Sequence, residues 1–139
     1  MENNMGPEQK ELMEKLSGYE QQVRQLQQQL QAVEQSINEL KSLDFGLDEI
    51  EKVIKDNGKK EILAQVGRGI FVEAELKSDE LTVDVGNKKF VKKNVPETKE
   101  IIRRQIEKLE SVRKDLDDGM EKMNSEVTMA IYDAQKKGN

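Results

Sequence analysis

Ile62-Leu63-Ala64-Gln65-Val66-Gly67-Arg68-Gly69-Ile70-Phe71-Val72-Glu73-Ala74-Glu75-Leu76 is the stretch on which the fold turns. Ile62, Ala64 and Val66 alternate with polar or outward positions, and Gly67-Arg68-Gly69 then reverses the chain. Ile70, Val72, Ala74 and Leu76 form one face of the returning strand, with Phe71, Glu73 and Glu75 on the other. A period of two around a glycine turn predicts a β-hairpin. A second follows: Lys77-Ser78-Asp79-Glu80 turns the chain, and Leu81, Val83 and Val85 alternate with Thr82 and Asp84. Gly86-Asn87 then turns into a last strand around Lys89–Lys92, carrying Phe90 and Val91.

On both sides the period changes to 3.5. Upstream, Leu12, Leu16, Tyr19, Val23, Leu26, Leu30, Val33, Ile37 and Leu40 are spaced 4-3-4-3. With Leu16, Val23, Leu30 and Ile37 at heptad position a, the next a residue is Asp44, so the strict seam stops there. A kink or a change of packing partner is expected around Leu43, Phe45 and Gly46. Apolar spacing resumes at Leu47, Ile50, Val53 and Ile54 and ends at Asp56-Asn57-Gly58, a helix stop. Downstream, Asn94 to Pro96 with Glu97 and Glu100 signals a helix start. A second stripe then runs through Ile102, Ile106, Leu109, Leu116, Met120, Met123, Val127, Ala130 and Ala134. One a position is Arg113, where neighbouring Val112 is expected to take over the contact.

The glutamines between Gln21 and Gln35 sit between intact a and d positions and read as an uncharged outer face. The expected organisation is a flexible leader at 1–7, a coiled-coil helix at 8–57, a double-hairpin segment at 61–93 and a second helix at 95–136. Two stripes of similar length in one chain are most simply paired with each other as an antiparallel coiled coil. The fold class is therefore α+β: two long helices with two β-hairpins at one end.

Composition narrows the function. The chain has 139 residues, 35% hydrophobic and 37% charged, without tryptophan. That mixture suits an elongated seam better than a globular core. Cysteine and histidine are both absent, which removes the usual zinc ligands, thiol chemistry and the commonest general base. Neither a metal site nor a cofactor is expected, and no catalytic constellation stands out, so an enzyme is the weakest reading. The net charge of −5 and the lack of a basic stripe argue against nucleic acid. No apolar run approaches the roughly 20 residues that span a bilayer, and the start lacks the character of a signal peptide. A cytoplasmic protein is expected.

Short hairpins are marginal alone in water, and their edges must be paired or blocked. The coiled coil cannot cover them, because its seam is used by its own helices. The β segment is therefore expected to be an assembly module, closing with other subunits into a β-barrel. Its assembly residues would be Ile62, Ala64, Val66, Ile70, Val72, Ala74, Leu76, Leu81, Val83, Val85, Phe90 and Val91.

Residues 62–76, with Leu81 to Gly86 and Phe90-Val91-Lys92-Lys93, make this chain resemble the prefoldin subunits. The α-type carries two hairpins between its helices where the β-type carries one, and the resemblance runs from about Glu8 to Gln135. Two departures stand out: Arg68 in a turn that usually takes small residues, and Gly86 without the second glycine that often follows. The resemblance implies a hexamer of two α-type and four β-type subunits that holds non-native polypeptides at the ends of its coiled coils. It further implies delivery of unfolded or nascent chains to a group II chaperonin, without nucleotide.

The ends of the two helices would then carry the holding surface: Leu12, Met13, Leu16 and Tyr19 opposite Met123, Val127, Met129, Ile131 and Tyr132. Methionine adapts to varied apolar partners, which suits such a surface. Two other readings stay open. One is a self-assembling homo-oligomer or filament of the same fold, and the other a structural coiled-coil adaptor with one folded partner.

Overall fold

The computed structural model describes residues 6–56 and 60–137. The chain runs α1 (Pro7–Lys55), β1 (Glu61–Gly67), β2 (Ile70–Glu75), β3 (Glu80–Asp84), β4 (Phe90–Asn94) and α2 (Val95–Lys137). Residues 1–5 of the expected leader, and the Asn57-Gly58 part of the expected stop, lie outside the described residues. Pro7 is already helical, as suits a residue without an N–H in a first turn. No described helix is long and apolar enough to cross a membrane.

Two compact units are formed, one of Met1–Ser36 with Leu109–Asn139 and the other of Ile37–Lys108. Among the described residues, the first is built from α1 and α2 alone, with no strand. Its covered positions follow the heptad: Leu12, Leu16, Tyr19, Val23, Leu26, Leu30 and Val33 on α1 are half-buried between exposed neighbours. On α2 the half-buried positions include Leu109, Arg113, Leu116, Met120, Met123, Val127, Ala130 and Ala134. Leu26 lies against Gly119, where an added Cβ would meet both leucine methyls at 3.8 Å. Here Arg113 keeps its own seam position and is half-buried, while Val112 is 44% exposed. The expected exchange between them does not occur; an arginine can cover a seam with its aliphatic stem and keep its head in water.

The second unit holds the buried core. Leu47, Val95 and Ile102 form a cluster, with Leu40, Ile50, Ile54, Leu81 and Ile106 packed against it. The last turns of α1 meet the first turns of α2, so the two helices run antiparallel there. Ile37, Leu47, Val95, Thr98 and Ile102 are the buried residues among those described, and all lie in this unit.

The hydrogen-bonded helix continues through Leu43, Phe45 and Gly46, so the seam does not end at Asp44 but changes character. Asp44 is half-buried, with one carboxylate oxygen shielded from solvent and without a hydrogen-bond partner. One turn on, Asp48 accepts a hydrogen bond from Lys99 Nζ, whose side chain is only 12% exposed. The hydrogen bond to Lys99 holds the Asp48 carboxyl below its usual range, with Arg103 and Lys52 adding to the effect. Its counterpart raises the Lys99 ammonium above its usual range, with Asp44 and Glu51 contributing.

A lowered carboxylate stabilises the fold at pH above its unfolded value and loses that effect as pH falls. A raised ammonium does so below its unfolded value and loses it as pH rises. Asp48→Asn is therefore expected to lower Tm by a constant amount between about pH 5 and pH 9. In thermal scans against pH, the gap from the parent should close in acid, as Asp48 becomes protonated.

At the start of α2, Asn94 and Glu97 cap the helix reciprocally. The Glu97 N–H donates to Asn94 Oδ1 at 2.8 Å and the Asn94 N–H to Glu97 Oε1 at 3.4 Å.

The strands make two separate antiparallel pairs, β1–β2 and β3–β4. In the first, Ile62 faces Ala74, Ala64 faces Val72, Leu63 faces Glu73, Gln65 faces Phe71 and Glu61 faces Glu75, with an irregularity between Gln65 and Gly67. Gly69 takes φ +69°, while exposed Arg68 keeps an ordinary negative φ and projects into solvent. The bulky residue is thus accommodated. In the second hairpin, Leu81 faces Lys93, Val83 faces Val91 and Asp84 faces Phe90.

Its turn is closed by the Lys89 N–H on the Gly86 carbonyl at 3.0 Å. Asn87 (φ 51°) and Lys88 (φ 59°) occupy the two central positions. Both are left-handed, as a type I′ turn requires, and such turns favour Asn-Gly. Lysine at the second position is strained. Replacing Lys88 with glycine is expected to stabilise the fold by roughly 0.5–1 kcal/mol, the left-handed cost of about 1–2 kcal/mol less the backbone entropy of glycine. Urea unfolding of the two proteins checks it.

Candidate functional site

The expected holding residues separate into two kinds. Leu12, Leu16, Tyr19, Met123 and Val127 occupy seam positions and are half-buried. Met13, Met129 and Tyr132 are 54%, 59% and 59% exposed, and Ile131 is 41% exposed. The seam rule explains this division, because one helix cannot turn every apolar residue toward its partner.

Met129 and Tyr132, three residues apart, share one face of α2. Ile131 is turned about 100° from Tyr132 and stands beside the seam residues Val127 and Ala134. The group expected as one patch is therefore two surfaces, an outward Met129–Tyr132 face and an Ile131 shoulder beside the seam. Ala130 and Ala134 leave the seam thin between them, and no described residue of this unit is among the buried ones.

The second apolar surface lies on the hairpins. Ile62, Ala64, Ala74 and Leu76 are half-buried, while Val66, Ile70 and Val72 on the same side are exposed. Leu76 follows the end of β2, and its N–H donates to the Lys60 carbonyl at 2.7 Å. Leu81 packs inward on the Leu47–Val95–Ile102 cluster of its own chain, and Val83 beside it is half-buried. Val85 (53%), Phe90 (63%) and Val91 (37%) are exposed.

Leu63 and Phe71 were not expected here, yet they are 67% and 54% exposed. They sit diagonally on the other face of β1–β2, with Glu61, Glu73 and Glu75 around them. Their outward position within an alternating strand was the signal for them. So β1–β2 presents apolar side chains from both faces. Among the described residues, no three His, Cys, Asp or Glu side chains converge as a metal site.

Known proteins with this plan can now be set beside the chain. The family model for the prefoldin subunit matches residues 19–139. A prefoldin subunit alpha of Methanobrevibacter smithii is 38% identical over 114 residues, covering 81% of this chain and 70% of that protein. The prefoldin subunit alpha of Methanosphaera stadtmanae is 34% identical over 83 residues, covering 58% of this chain and 60% of that protein. In three dimensions, the filamentous prefoldin of Methanocaldococcus jannaschii, determined by cryo-electron microscopy, gives a TM-score of 0.68 at 21% identity. That likeness of fold covers 86% of this chain and 98% of the other. Two long helices separated by two hairpins, together with a family match over most of the sequence, lead to one conclusion: the chain belongs to the prefoldin family, a family of chaperones.

Proposed function

We propose that this chain is an assembling subunit of an ATP-independent holding chaperone. Residues 61–93 are its assembly segment, and the outer turns of α1 and α2 bind non-native polypeptide. The observation that carries this reading is apolar surface left open at those turns: Met13, Met129 and Tyr132 are each more than half exposed beside a half-buried seam. Flexible methionine and an amphipathic tyrosine can follow many apolar shapes without demanding one.

The assembly in this reading joins two copies to four β-type subunits, with the hairpins closing into a barrel. Its cargo is an unfolded or nascent chain, passed to a group II chaperonin in the cytoplasm. Family membership, alpha-subunit relatives and the exposed hairpins support it. Self-assembly without a β-type partner is the second reading, favoured by the fold shared with a filamentous prefoldin. The mass of the purified chain, alone and with a β-type subunit, separates the two.

The test of holding is suppression of light scattering when a denatured protein is diluted into the assembled complex. Met129→Ser/Tyr132→Ser removes two exposed apolar side chains worth about 1.5 kcal/mol or more each when covered. Client affinity is expected to fall at least roughly tenfold, with the mass of the assembly unchanged. Equal suppression by parent and variant would place the holding surface elsewhere. Binding of one folded partner, with no effect on scattering, would support an adaptor instead.

A further inference from the structure

Within Ile37–Lys108, the seam carries one polar layer among apolar ones. Asp44, Asp48 and Glu51 follow each other at i, i+4 and i+7 and so share a side of α1. Lys99 and Arg103 are spaced i, i+4 on α2. Asp48 holds Lys99 directly. Asp44 and Glu51 act electrostatically on Lys99, and Arg103 acts on Asp48. Leu40, Leu47, Ile102 and Ile106 pack in the apolar cluster of the same unit. Asp44 takes a position the heptad assigns to an apolar residue and leaves a shielded oxygen without a partner.

We propose that this layer fixes the register of α1 against α2. Two apolar stripes of period seven match equally well after a slide of one heptad, because leucine then meets leucine again. The polar layer does not repeat. A seven-residue slide, about 10 Å along the axis, brings Lys99 opposite Lys41 or Lys55 in place of Asp48. The same slide brings Asp44 toward Pro96 or Glu110 in place of the Arg103 side. Each slipped register breaks the Asp48–Lys99 pair and sets like charges together, or leaves a charge without its partner. A single polar position in a coiled-coil seam can specify alignment in this way, at some cost in stability. α1 and α2 each run unbroken from this unit into the other, so a slide can be read at positions outside the layer.

Disulfide trapping tests this, because the chain has no cysteine of its own. Leu26 touches Gly119, so Leu26→Cys/Gly119→Cys reports the native register. Leu26→Cys with Val112→Cys, or with Glu126→Cys, reports slides of one heptad in either direction. In the full-length assembly, only the native pair should cross-link within a chain. With Asp44→Leu/Asp48→Leu/Lys99→Leu added, the slipped pairs should cross-link in amounts comparable with the native one, while far-UV circular dichroism stays helical. Lys99→Arg, which keeps a cation opposite Asp48, should leave only the native cross-link. Exclusive native cross-linking in the triple leucine variant would overturn the proposal, as would slipped products in the parent.

Discussion

Replacing Ile102 with alanine is expected to lower the stability of the assembled protein by about 3 kcal/mol. Ile102 is 4% exposed and belongs to the apolar cluster of Leu47 and Val95. The lost transfer energy of the removed carbons and the residual cavity both count against the fold. The same change at Ile131, 41% exposed, should cost well under half as much, because little around it is close-packed. Urea unfolding at fixed subunit concentration, followed by circular dichroism, compares the two. Equal losses would mean that the buried core is not where the fold's stability is concentrated.

Leu63→Ser/Phe71→Ser should do the opposite: leave the folded subunit nearly intact and dismantle the complex. Nothing among the described residues covers either side chain enough to bury it. Their removal therefore takes little from the isolated subunit. If they are anchors of the assembly face, each is worth about 2 kcal/mol or more on truncation, and each loss weakens association roughly thirtyfold. Sedimentation velocity should show the complex falling to smaller species, with helix content preserved. An unchanged mass would confine the assembly contacts to the Ile70–Val72 side and to the second hairpin.

Much of this fold was legible because its apolar residues keep strict periods. The 4-3 spacing of Leu12 through Leu40 leaves one way to lay the first helix against a partner, and that spacing reappears as the half-buried positions of α1. The glycines at 67, 69 and 86 marked the chain reversals, since Gly69 and Gly86 take φ values that side chains resist.

What stayed hidden depends on partners distant in sequence. Asp44 reads as a break in the seam until Lys99, 51 residues beyond the neighbouring Asp48, is brought beside it by the antiparallel pairing. Leu81 reads as one more assembly residue because alternation cannot tell which hairpin face lies on the chain's own helices. Val112 and Arg113 were exchanged because hydrophobicity by itself ignores the long aliphatic stem of arginine. The proposed holding surface was legible only as a surplus of apolar residues, and the helical period then divided it into two faces.

The direct pairing of Glu61 with Glu75 across β1–β2 has one more consequence. Like charges facing each other weaken an antiparallel pair, and here they border the exposed Leu63 and Phe71. Were two copies of this hairpin to stack through that face, carboxylates would be added beside carboxylates at its Glu61–Glu75 end. The strand ends thus carry charge that disfavours the stacking of two like hairpins through this face.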